Sequence, residues 1–147
     1  MQIELNDIGH IIQLSVAPVF LLTGVGTTLT VLTNRLARIV DRSRVLEDRV
    51  RKEDDAHTSD YRDELITLYS RSHLINRAIV LATACALMIS LVIISLFVGD
   101  ALNIDLSKYI AAFFVLAMVS LLASFSYLLR EIFLATQTMR TVVRLPK

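Results

Sequence analysis

Three long stretches of this chain carry no charge, and the segments between them place apolar residues at helical spacing. The uncharged stretches are residues 11–32 (IIQLSVAPVFLLTGVGTTLTVL), 78–98 (AIVLATACALMISLVIISLFV) and 109–129 (YIAAFFVLAMVSLLASFSYLL). At a rise of about 1.5 Å per residue each makes a helix of about 30 Å, the thickness of a bilayer's hydrocarbon core. Core helices of soluble bundles keep polar residues along one stripe, whereas these are uncharged all round. The expected fold is an all-α integral membrane protein with transmembrane helices at 11–33, 78–98 and 109–129.

No turn signal separates the first stretch from TNRLARIVDRSRVLEDRVRK, so one helix is expected to run on to Lys52. Beyond the span, Leu36, Ile39, Ser43, Leu46 and Val50 recur at alternating spacings of 3 and 4, a coiled-coil seam. The turn-forming run DDAHTSD at 54–60 reverses the chain, with Ser59 or Asp60 available to cap the next helix. That helix repeats the seam with Tyr61, Leu65, Leu68, Ser72 and Ile75. Residues 34–77 are therefore predicted to form an antiparallel helical hairpin reaching roughly 30 Å from the membrane.

The flanks are simpler. Residues 1–10 hold Glu4 and Asp7 and no Lys or Arg, unlike a secretory leader, so the first span is expected to be retained. Ile3, Leu5, Ile8, Ile11 and Ile12 suit a short interfacial helix, and Pro18 either bends the span or marks where regular helix begins. Residues 99–108 form a short loop with Asp105 or Ser107 as a cap, and 130–147 form a basic, amphipathic tail expected along the inner leaflet.

Charge adds orientation. Net charge is +1 over 147 residues that are 54% hydrophobic, yet the cations are unevenly placed. All ten Lys/Arg before Gly99 lie between Arg35 and Arg77, four follow from Arg130, and the 99–108 loop holds only Lys108. The positive-inside rule then puts 34–77 and the C-terminal tail in the cytoplasm, with the N-terminus and the 99–108 loop outside. Cys85, the single cysteine, has no intrachain partner and reads as a packing residue.

Two patterns go beyond topology. Thr23, Thr27, Thr30 and Asn34 share one face of the first helix, with Gly24 and Gly26 beside it. That face either meets water or a partner helix, as the wall of a pore would, or its hydroxyls bond their own backbone carbonyls and serve packing. In the second span Ala82, Ala86 and Ser90 form a small-residue packing face; in the third, Ala117, Ser120 and Ser124 line one side. Beyond the membrane Arg35, Arg38, Arg42, Arg49 and Lys52 occupy one sector, with Asp41 and Asp48 alongside. They form either a solvated face held by local pairs (Glu47 with Arg51, Asp48 with Lys52, Asp41 near Arg38 and Arg44) or, in a ring of copies, a basic vestibule.

The usual signatures of catalysis and of cofactor or metal binding are missing from the sequence: no phosphate-binding glycine loop, HExxH, paired cysteines or nucleophile elbow. No enzyme activity and no cofactor is expected. Asp54, Asp55, His57 and Asp60 offer only an acid-rich turn as a metal site, and nucleic acid is disfavoured by nine acids among the basics of the hairpin. The spans lack ionisable residues, which disfavours a proton- or ion-coupled transporter. Two functions lead: a homo-oligomer in membrane lipid that forms an ion-permeation pathway, or a non-conducting scaffold or regulator recruiting a cytoplasmic protein through its hairpin; a membrane enzyme, for want of a nucleophile or ligand set, comes third.

Ser15-Val16-Ala17-Pro18, then Leu21-Leu22-Thr23-Gly24-Val25-Gly26, then Asn34-Arg35-Leu36-Ala37-Arg38-Ile39-Val40-Asp41-Arg42-Ser43-Arg44 resemble a bacterial membrane-protein family catalogued as the domain of unknown function number 2721. The resemblance covers nearly the whole chain. It implies three spans and a bacterial inner-membrane location, and it carries no functional residue across.

Overall fold

A computed structural model describes the backbone of residues 2–52, 58–102 and 104–142, with side chains described at 9–10, 12–51, 61–102 and 104–136. The described residues form three helices and no strand: α1 (Gln2–Lys52), α2 (Thr58–Ala101) and α3 (Ser107–Val142). Each contains a segment long and apolar enough to cross a membrane. α1 passes through Pro18 without interruption, so the proline does not mark where the helix begins. The backbone of residues 2–10 is helical too. The acid-rich turn (Asp54, Asp55, His57 and the side chain of Asp60) and the side chains of the tail beyond Thr136 lie outside the described residues.

The chain divides into two compact units, Met1–Leu29 with Leu81–Ala123, and Thr30–Val80 with Ser124–Lys147. In the first, Ser15 and Val25 of α1, Ala82, Cys85, Ile89 and Val92 of α2, and Ala117, Ser120 and Leu121 of α3 are buried. Small residues recur because apolar burial drives nothing in lipid, so helices associate through close packing and polar bonds. Ser120 supplies such a bond, its hydroxyl donating to the Leu81 carbonyl at 2.8 Å. Beside this packing, Leu14, Ala17, Val92, Ile110 and Phe114 help line an apolar cleft of about 450 Å³.

The connection between α2 and α3 is tight at Gly99. Gly99 is buried, its carbonyl accepts the Ile104 N–H at 2.9 Å, and a Cβ there would stand 3.3 Å from the Ile104 carbonyl oxygen. Asp105 then starts α3 by accepting the Ser107 N–H at 3.1 Å, satisfying one donor that the first turn leaves open. Bonds from the Ser107 hydroxyl and N–H hold the Asp105 carboxyl below the ordinary aspartate range.

In the second unit the expected seams are buried in part, with Val50 and Tyr61 at their ends half-buried. Leu32, Ile39 and Leu46 of α1 and Leu68, Ile75 and Ala78 of α2 are enclosed, while Leu36, Ser43, Leu65 and Ser72 are half-buried beside them. Arg42 pairs with Glu64 at 2.9 Å, and the Tyr69 hydroxyl donates to Glu47 at 2.7 Å. Glu47 thus serves the neighbouring helix, where local spacing suggested Arg51. α3 continues unbroken past Leu129, and Ser124 donates to the Ala78 carbonyl at 2.7 Å.

Candidate functional site

Among the described residues, the second unit buries one carboxylate. Glu131, on α3, has a side chain only 1% exposed. Its Oε2 accepts Arg35 Nη1 of α1 at 2.9 Å, and its Oε1 accepts Arg71 Nε and Nη2 of α2 at 3.0 and 2.8 Å. Three helices therefore converge on one residue.

Helical periodicity explains the convergence. Ala117, Ser124 and Glu131 follow one another at seven-residue intervals and are all buried, so Glu131 extends the packing line of α3. Arg35 lies between the buried Leu32 and Ile39, and Arg71 between Leu68 and Ile75, so each enters its seam between apolar layers. A lone buried carboxylate costs several kcal/mol, of order, unless charged partners satisfy its oxygens. Here both oxygens are satisfied, and no buried side-chain polar atom among the described residues lacks a partner.

This arrangement redistributes the arginine sector. Arg35, expected on the solvated face, is half-buried against Glu131, while Arg38, Asp41, Arg42 and Arg49 are exposed. Arg35, Arg38, Arg42 and Arg71 surround a cleft of about 250 Å³ with Glu131 in its wall and Ile39 and Leu68 as its apolar lining. Glu131 escaped the sequence reading because it stands beside Arg130 in a segment read as a basic tail. Two signals pointed to it: its seven-residue spacing from Ser124, and its being the only acid after Asp105.

On α1, Thr23, Gly24, Gly26, Thr27, Thr30 and Asn34 are exposed. The Thr23 hydroxyl donates to Val19 O at 3.3 Å and that of Thr27 to Thr23 O at 3.1 Å, the back-bonding expected if packing alone is served. Yet a Cβ added at Gly24 or Gly26 would meet nothing within 4 Å. Among the described residues no neighbour requires those glycines to be small. Ala82, by contrast, is fully buried, and Ala86 and Ser90 are half-buried, with Ser90 Oγ bonded to Ala86 O at 2.9 Å.

Three helices of membrane-spanning length and composition define a multi-pass membrane protein. Over residues 15–141 the chain matches the model of a family described as protein of unknown function (DUF2721), and it belongs to that family. No curated protein and no solved structure matches it.

Proposed function

We propose that the protein is a non-enzymatic, homo-oligomeric assembly of the bacterial inner membrane, with its N-terminus outside and residues 34–77, as an antiparallel hairpin, in the cytoplasm. The observation that carries this reading is the exposed face of α1, where Gly24 and Gly26 have open space in front of them. In lipid, small residues of this kind admit the backbone of a second helix. Thr23, Thr27, Thr30 and Asn34 lie along the same face and would give an assembled axis a polar lining for ion permeation. The scaffold alternative draws support from the ion pairs: Glu131 and Glu64 engage Arg35 and Arg42, which lowers the charge available to a vestibule.

One substitution tests the assembly. A Cβ at Gly24 meets nothing within 4 Å among the described residues, so the expected effect of Gly24→Leu is loss of the oligomer in native mass spectrometry with folding unchanged. An unchanged oligomer would remove this face from the interface. Recording the wild-type oligomer in planar bilayers then separates the two roles: an ion-selective current supports permeation, and an intact, silent oligomer supports the scaffold.

A further inference from the structure

We propose that the cleft bounded by Arg35, Arg38, Arg42 and Arg71 binds a phosphate-bearing anion, either the headgroup of an anionic phospholipid or a soluble phosphate. Four guanidinium groups surround it, against Glu131 in its wall and Glu64, which pairs with Arg42. Positive charge is therefore in excess. Each arginine carries five N–H donors in a planar fork suited to phosphate oxygens. Arg35 spends one bond on Glu131 and Arg71 two, both on one oxygen, so most of their donors remain for a ligand. Glu131 thereby fixes the two guanidiniums at the cleft wall before any ligand arrives. Preorganisation of this kind lowers the cost of binding.

Size and position narrow the ligand. A volume of about 250 Å³ lies below the roughly 300–1,000 Å³ of sites for drug-sized molecules, so a phosphate or single headgroup fits better than a nucleotide. Arg35 follows the uncharged stretch 11–32 by three residues, and Glu131 follows 109–129 by two. Basic residues at such boundaries meet lipid phosphates. The site is built within one chain and holds whether or not copies assemble.

The test uses the full chain in detergent, in two arms. In one, micelles containing equal phosphatidylglycerol and phosphatidylcholine are added and retained lipid is counted per protomer by native mass spectrometry. In the other, inorganic phosphate is titrated calorimetrically. Selective retention of phosphatidylglycerol identifies a lipid source; saturable phosphate binding identifies a soluble one. Arg38→Gln, which leaves the Glu131 bonds intact, is expected to weaken whichever binding is found by about tenfold, the scale of one charge-assisted hydrogen bond. Arg49→Gln, exposed on the same helix outside the cleft, is expected to leave it unchanged. Absence of both kinds of binding, or equal losses in the two variants, would overturn the proposal.

Discussion

At Glu131 one carboxylate accepts three bonds from two arginines, and its removal strands both cations. Removing one partner of a fully buried ion pair costs about 3–5 kcal/mol. The Arg35 and Arg71 side chains are 37% and 24% exposed, so water recovers part of that loss. Glu131→Ala is therefore expected to destabilise the protein by roughly 2–3 kcal/mol, read as a lower unfolding midpoint in detergent. Glu64→Ala provides the contrast. Its pair with Arg42 is 49% and 38% exposed on its two sides, and such pairs contribute about 0–1 kcal/mol. Equal losses from both substitutions would mean that burial at Glu131 confers nothing special.

Among the elements, the first turn of α3 depends on Asp105, whose carboxyl lies below its ordinary value of 3.8 because Ser107 donates to it. A depressed folded value fixes the sign: the stabilisation is complete above pH 3.8 and is lost as pH falls through the lower folded value. The protection of the Ser107 amide, its exchange relative to the intrinsic rate at each pH, should therefore persist on acidification to pH 3.8 and fall only below it. Asp105→Ala should remove that protection already at neutral pH. Unaltered exchange in the variant would show that the amide is held by something else. Local pattern made much of this architecture legible. Uncharged length announced the three helices, and spacings of 3 and 4 picked out Ile39, Leu46, Leu68 and Ile75 as buried. The ion-pair cluster was not legible in that way. Its members are 96 and 60 positions apart, and periodicity along one helix says nothing about which charges face each other across three. The small residues of α1 and α2 looked equivalent in sequence, yet Ala82 is enclosed and Gly24 is open. Only packing partners could separate them.

For the whole molecule, the Lys/Arg distribution predicts which side each connection faces. In a Cys85→Ser background, a cysteine introduced at position 57 should be shielded from membrane-impermeant reagents in intact cells, and one at position 103 should be labelled. The opposite pattern would invert the proposed orientation. The Glu131 cluster also has a consequence in time, because a ribosome makes this chain from one end. Arg35 and Arg71 are synthesised long before their shared acceptor, 96 and 60 residues ahead of it. A nascent chain holding α1 and α2 must therefore leave both guanidiniums to water or lipid phosphate until α3 is delivered. Glu131 is the latch that arrives last, and a chain halted before it leaves both guanidiniums without their shared acceptor.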